Sequence, residues 1–413
     1  MELEVLPAQQ GDCLILHSET DDGPGLILID GGPAGVSRAT LFPRLQELRD
    51  ERGLDDDEPL VIDLVIVSHV DDDHIKGVID LFDGMLDLHR ANEPPRFVVK
   101  GLWHNTFDRV LGNDETGGLR STTQFGGASM TAVIEEADEG APTDHAKVLA
   151  SIPQGDELRN LAKALDIPVN AEFGGALIQT AAPGPGATRP ASPEVAGVKL
   201  TVVGPLQPEL IQLQKAFDTW LRTQPPSERT EQSLLASLDD ESAANLSSIV
   251  LLAEADGRTI LLTGDARSDK MMEGLEECGL LPEGRTLQVD ILKMPHHGSI
   301  RNLDDEGDFV GRVTSGKYVF SGNGEHGNPD RETVELLLKV RPGAEMTFYF
   351  TYPLAEMDPV RQETHDHERE RRIRKGKPGG PEWNDATHAL IAVLSPPPKG
   401  VTVISNDGSV MEI

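Results

Sequence analysis

The residues best placed to do chemistry in this chain of 413 residues are His69, Asp71, Asp73 and His74. They lie in the run His69-Val70-Asp71-Asp72-Asp73-His74, directly after the apolar stretch Val61–Ser68. A buried strand ending at Ser68 would deliver imidazoles and carboxylates into one loop. These are the donors that hydrolytic sites use to anchor two divalent cations with a water between them. Taken alone, the run also reads as an acidic surface loop with two histidines. Two later segments argue for the metal. Thr259–Ala266 is a β-branched and leucine strand running into Gly264-Asp265, and a carboxylate at a strand tip suits a bridge between two metals. Val289–Ser299 is a second apolar strand, and it runs into Pro295-His296-His297-Gly298. Three strand ends carrying His or Asp would converge on one rim of an α/β sheet, where such folds place their sites.

The order and form of these blocks resemble the metallo-β-lactamase fold superfamily of metal-dependent hydrolases. The His-x-Asp-x-Asp-His run, the Gly-Asp strand end and Pro295-His296-His297-Gly298-Ser299 look like the subgroup containing the soluble hydrolase domain of ComEC-type competence proteins. The similarity takes in Gly11-Asp12, Leu26–Gly32, Asn245–Leu252 and Ser321–Pro329, so it is spread over residues 1–105 and 198–350. It implies an α/β protein built as a four-layered αββα sandwich, with a core over 1–350, an insertion at 106–197 near the site and a charged C-terminal extension at 351–413.

The resemblance also implies roles. His69, Asp73, His74, Asp265 and His297 fall on the superfamily's ligand positions, with Asp265 bridging and His297, before Gly298, as the last metal histidine. Asp71 stands where many members carry a second histidine. A harder oxygen donor there weakens the preference for zinc, so the expected cofactors are two divalent ions, zinc or manganese. His104, after the strand Phe97–Leu102, is the candidate for the remaining ligand, against an ordinary surface histidine or one that only supports the ligands. His296 either supports the ligands or contacts substrate. Asp12 and Asp30 sit at turn or strand ends and are expected to orient ligand histidines by hydrogen bonds. His326 lies in a loop similar to the subgroup's late histidine-proline motif, although Gly327 and Asn328 intervene before Pro329. Its expected role is transition-state stabilisation or protonation of a leaving group.

Metal-dependent hydrolysis follows from these residues, and the bond cleaved is less constrained. The first expectation is a phosphodiester, with a nucleotide or nucleic acid as substrate. The alternative is a small ester, lactone or thioester. A third reading makes the chain one component of a multi-protein, defence-like system whose partner supplies substrate or regulation.

The elements that must position these residues read β-β-β-α-β-α-β in the first part. The strands are Glu2–Val5, Cys13–His17, Leu26–Asp30, Val61–Ser68 and Phe97–Leu102, and the helices Thr40–Arg52 and Ile75–Phe82. Gly112–Ala128 and Ala182–Pro193 are rich in turn-forming residues and flank an amphipathic helix at Asp156–Leu165. The second part has strands at Lys199–Val203, Ser247–Ala253, Thr259–Thr263, Val289–Met294, Tyr318–Ser321 and Met346–Phe350. Its helices are Pro208–Leu221, Asp269–Cys278 and Arg331–Lys339. Two further strands, Ala389–Leu394 and Val401–Ile404, are expected after the charged stretch Arg361–Lys377, which reads as a solvated helix or loop, or else as a phosphate-binding or partner-docking surface.

Lys and Arg number 37 against 70 Asp and Glu, a formal charge of −33. That disfavours a long basic groove for nucleic acid, although bound cations restore positive potential locally. The 2 cysteines, Cys13 and Cys278, suggest neither a disulfide framework nor a thiolate metal site. Without a signal-like amino end or a run of about 20 apolar residues, the expectation is a cytoplasmic protein with no membrane span.

Overall fold

The computed structural model describes residues 1–55, 57–105, 143–180, 191–207, 248–406 and 411–413. The expected helix Pro208–Leu221, the loop Gly112–Ala128 and most of Ala182–Pro193 lie outside the described residues. Among the described residues the chain is an α/β protein with one six-stranded and one eight-stranded mixed sheet and a separate parallel pair of two short strands. The strands are β1 Glu2–Val5, β2 Leu14–Thr20, β3 Gly23–Ile29, β4 Leu60–Ile62, β5 Leu64–Val67, β6 Phe97–Val99, β7 Leu102–His104 and β8 Glu194–Val195. They continue as β9 Val198–Gly204, β10 Val250–Ala255, β11 Arg258–Leu262, β12 Leu287–Lys293, β13 Val313–Phe320, β14 Met346–Phe350, β15 Val401–Ser405 and β16 Met411–Glu412. The helices are α1 Phe42–Glu51, α2 Asp72–Ala91, α3 Thr143–Ala164, α4 Ser268–Glu277, α5 Asp308–Arg312, α6 Arg331–Val340, α7 Leu354–Arg374, α8 Asp385–His388 and α9 Ile391–Leu394.

The smaller sheet has the order β16-β1-β2-β3-β5-β7 and the larger β15-β14-β13-β12-β11-β10-β9-β8. Each begins antiparallel in sequence and turns parallel. The parallel pairs are β3–β5 and β5–β7 in one sheet, and β11–β12, β12–β13, β13–β14 and β14–β15 in the other. Alternate side chains of both sheets meet in one apolar cluster. Leu3, Leu16, Ile27 and Ile66 pack there with Leu200, Leu251, Ile260 and Val319. The opposite face of the smaller sheet is covered by Leu45 of α1, Val78 and Phe82 of α2 and Leu158 of α3. The larger sheet is covered by Met271 and Leu275 of α4, Leu337 of α6 and Met357 of α7. Removing each such side chain from water contributes about 1.5–3 kcal/mol.

Several sequence expectations are corrected. Val61–Ser68 is not one strand but β4 and β5, which belong to different sheets, and Phe97–Leu102 is likewise divided between β6 and β7. Asp63 causes the first break. Its carboxylate accepts the Leu26 N–H at 3.0 Å and the Lys100 ammonium at 2.8 Å, so a polar residue turns away from the core between two apolar segments. The helix expected at Ile75–Phe82 begins at Asp72 and continues to Ala91. Asp71 enters it in extended conformation, Asp72 and Asp73 occupy the first turn, and Asn92 closes it in the left-handed region. Two carboxylates at a helix start meet the positive end of the peptide dipoles, which the reading as an acidic loop overlooked.

Ala389–Leu394 is not a strand. The Asp358 carboxylate accepts the Leu390 and Ile391 N–H groups at 2.8 and 2.9 Å, which holds the start of α9 in a helical turn. Val401–Ser405 does form a strand, and β16 at the carboxyl end pairs with β1. The charged stretch Arg361–Lys377 lies mainly on α7, with Arg361 buried rather than solvated. No helix among the described residues is long and apolar enough to cross a membrane.

Candidate metal centre

The ligand-type side chains are set at the carboxyl ends of the parallel strands. Asp30 follows β3, His69 follows β5, His104 ends β7, Asp265 follows β11, and His296 and His297 follow β12. Both sheets therefore feed one rim. Asp73 and His74 come from the first turn of α2, whose approach is fixed backbone to backbone. A Cβ on Gly77 would overlap the Gly31 carbonyl, and the Gly31 N–H donates to the His74 carbonyl at 2.7 Å. Asp30, His296 and His297 adopt φ of 58, 48 and 55°, conformations that L side chains avoid and that concentrate at functional sites.

His69, Asp73, His74, Asp265 and His297 meet in a buried cluster, with Asp12 and Asp30 adjoining it. Asp265 is its centre. One oxygen, Oδ1, lies 3.4 Å from His74 Nε2 and 3.8 Å from His297 Nε2. The other, Oδ2, lies 3.6 Å from His69 Nε2 and 3.6 Å from His296 Nε2. Asp71 Oδ2 is 3.7 Å from His69 Nε2, and Asp73 Oδ2 is 3.8 Å from His297 Nε2.

Hydrogen bonds explain why the Nε2 atoms point inward. His74 Nδ1 donates to Asp30 Oδ2 at 2.8 Å. Ser68 donates its hydroxyl to the same Asp30 oxygen at 2.7 Å, and its Oγ lies 3.1 Å from His69 Nδ1. Ser321 likewise donates to Asp12 Oδ1 and lies 3.0 Å from His297 Nδ1. His296 Nδ1 bonds Asn302 Oδ1 at 2.8 Å, while Asn302 donates to the Asp265 carbonyl at 2.8 Å. Each imidazole is thus held by its rear nitrogen, the arrangement that orients metal-binding histidines.

A divalent cation fits this donor set. The Nε2 atoms of His69, His74 and His297 and the Oδ1 atoms of Asp71 and Asp265 are buried and make no hydrogen bond among the described residues. Leaving such atoms unsatisfied costs about 1–3 kcal/mol each, and a cation accepting their lone pairs removes that cost. The electrostatics agree. Burial would raise the Asp265 carboxyl, but His296, His74, His69 and His297 together hold it well below its ordinary value. Burial would lower His74, yet Asp265 and Asp30 hold its imidazole well above the ordinary value. Burial likewise opposes the charge of Asp12, which Lys293, His297 and His74 hold far below the usual carboxylate range.

The remaining sequence candidates are distributed as follows. His104 is buried at the tip of β7, opposite Val67 in register, with its backbone N–H bonded to Asn170 Oδ1 at 2.9 Å. His326 is exposed on the short turn Glu325–Gly327 with φ of 59°. That turn is held by Arg361, whose Nε donates to the Gly327 carbonyl at 3.0 Å. Neither histidine belongs to the groups whose ligand atoms converge. Ser299 precedes the turn Ile300–Asn302 without a capping hydrogen bond. Cys13 and Cys278 are free thiols, and burial pushes Cys278 up to about 11.

Sequence reasoning missed Ser68, Ser321, Asn302 and Lys293. The first two follow strands, where small polar residues attract no notice. Lys293 carried a signal, a charged residue inside the apolar strand Val289–Met294. No protein-family model matches the chain, nor does any curated protein sequence.

Proposed function

We propose that this protein is a metal-dependent hydrolase of the metallo-β-lactamase type, acting on phosphodiesters. The observation that carries this reading is the division of Asp265, one oxygen facing His74 and His297 and the other facing His69 and His296. A carboxylate so shared suits a bridge between two ions. In this reading His69, Asp71 and Asp265 would hold one ion and Asp73, His74, His297 and Asp265 the other, while His104 lies outside the groups whose ligand atoms converge. The family's αββα sandwich is supported by the common core of the two sheets and the helical side chains on their other faces. Zinc or manganese bound there would polarise the scissile bond and make a water nucleophilic near neutral pH.

The chain's own groups prepare that chemistry. Asp30, Asp12, Ser68 and Ser321 fix the imidazoles so that no reorientation accompanies the reaction. His296, 22% exposed at its side chain with Nε2 3.6 Å from Asp265 Oδ2, is the histidine of the cluster open to a substrate. His326, on the exposed turn, protonates the leaving oxygen. A second reading, a small ester, lactone or thioester as substrate, is favoured by the formal charge of −33, which opposes a long polyanion.

The test is metal analysis beside hydrolysis by zinc- and manganese-loaded protein of single-stranded DNA, RNA, cyclic dinucleotides and lactones. Metal-dependent cleavage of a phosphodiester is the expected result. Cleavage of lactones alone transfers the assignment to the second reading. Protein that binds no metal and cleaves none of these overturns both.

A further inference from the structure

Lys293 is 1% exposed, one of the largest fully buried side chains, and it ends β12 just before the Pro295-His296-His297 turn. Its ammonium lies 2.8 Å from Asp12 Oδ2 and donates to the Met294 carbonyl at 3.0 Å. A lysine so buried is rare without a partner and a reason. The reason is visible on the far side of Asp12. The other oxygen, Oδ1, accepts the Ser321 hydroxyl and lies 3.3 Å from His297 Nδ1, while Oδ2 is 4.0 Å from His74 Nδ1. Lys293, Asp12 and Ser321 thus form a line of contacts that ends on the rear nitrogen of His297.

We propose that Lys293 is a positioning residue for the metal centre, acting through Asp12 to fix the direction of His297. The ammonium engages one carboxylate oxygen, so the other must face Ser321 and His297. Without Lys293 the buried Asp12 loses its counter-ion and one of its donors, and an unpaired buried charge is strongly unfavourable. The carboxylate then turns toward whatever donors remain, and His297 is no longer held with Nε2 toward Asp265 and Asp73. The Coulomb effect alone predicts the reverse. Removing a positive charge beside a cation site should strengthen metal binding, so the sign of the change separates the two accounts.

This inference rests on reading the cluster as a metal centre. The test is the zinc affinity of the full chain, by chelator competition, for wild type, Lys293→Met, Asp12→Asn and the double variant, with circular dichroism confirming the fold. Lys293→Met should weaken zinc binding about 10- to 100-fold, as loss of an outer hydrogen-bond partner does. In the Asp12→Asn background the same substitution should add little, because the two residues act as one unit. Unchanged or tighter binding by Lys293→Met, or full additivity in the double variant, overturns the inference. Absence of zinc binding by the wild type overturns the metal-centre reading and this inference with it. Should Lys293→Met not fold, nitrogen-15 NMR of the wild-type histidines decides the matter. The hydrogen of His297 is expected on Nδ1, and its finding on Nε2 refutes the positioning role.

Discussion

The Asp30 carboxylate and the His74 imidazole are joined at 2.8 Å between Oδ2 and Nδ1, although 44 residues separate them in the chain. Asp30 also accepts the Ser68 backbone N–H at 2.7 Å, so one side chain ties the end of β3 to the end of β5 and to the start of α2. Asp30→Asn keeps a residue type that tolerates the left-handed backbone and retains one carbonyl acceptor. It loses the charge that holds His74. Zinc affinity should fall about 10- to 100-fold. Wild-type affinity in this variant, measured by chelator competition, would remove Asp30 from the site.

Under the proposed function, Asp265→Asn and His326→Ala should separate holding the metal from using it. Asp265→Asn halves the oxygen donors at the centre of the cluster and deletes the charge that four histidines face. Bound metal should drop, and hydrolysis should fall by more than about 100-fold, the upper range for losing a mere outer contact. His326→Ala should reduce turnover by about 100-fold or more, as loss of a general acid does, with metal content unchanged. Metal analysis beside turnover reads both. Full activity in the first variant, or metal loss in the second, contradicts the assigned roles.

Two glycines of α2 should respond oppositely to the same change. A Cβ at Gly77 overlaps the Gly31 backbone, whereas at Gly84 the nearest atom is the Phe42 ring at 3.7 Å. Gly77→Ala should therefore destabilise the protein by about 1–3 kcal/mol. Gly84→Ala should be neutral or stabilising by about 0.5–1 kcal/mol, since alanine favours helix. Urea unfolding compares them. Equal effects would mean that the contact between Gly31 and Gly77 does not set the approach of α2.

Glu4 supplies a pH dependence remote from the cluster. Its side chain is buried against Arg44 Nε at 2.5 Å and His17 Nε2 at 2.5 Å. Burial alone would raise its carboxyl, but His17 and Arg44 hold it below the ordinary value of 4.5. A carboxyl lower in the folded than in the unfolded chain stabilises the fold above the unfolded value, and that contribution disappears as pH falls through the folded one. Glu4→Gln should thus cost about 2 kcal/mol at pH 7, a typical value for hydrogen bonds to a charged group. It should also flatten the acid side of the stability curve below about pH 4.5. Parallel acid limbs in the two proteins would show that Glu4 contributes nothing there.

Which residues end the strands was legible in the chain before any folding. Apolar runs followed by His69, Asp265 and His296-His297 are local signals, because a buried strand and the polar residues at its tip are covalent neighbours. The family resemblance added a choice among histidines that spacing alone left open. The sequence did not determine where the strands break or which sheet receives each piece. Asp63 divides an apolar run only because Leu26 and Lys100, distant in the chain, offer donors to its carboxylate. Ala389–Leu394 has the composition of a strand, and Asp358 makes part of it a helical turn. The direction of each imidazole was settled in the same way. Asp30, Ser68, Asp12, Ser321 and Asn302 reach the rear nitrogens from separate elements, and Lys293 meets Asp12 across 281 residues, Lys293 minus Asp12 in the numbering. Hydrophobic periodicity is fixed by neighbours within a few positions. A hydrogen bond between residues hundreds of positions apart exists only once the sheets have paired, and that pairing gave Asp265 two different faces.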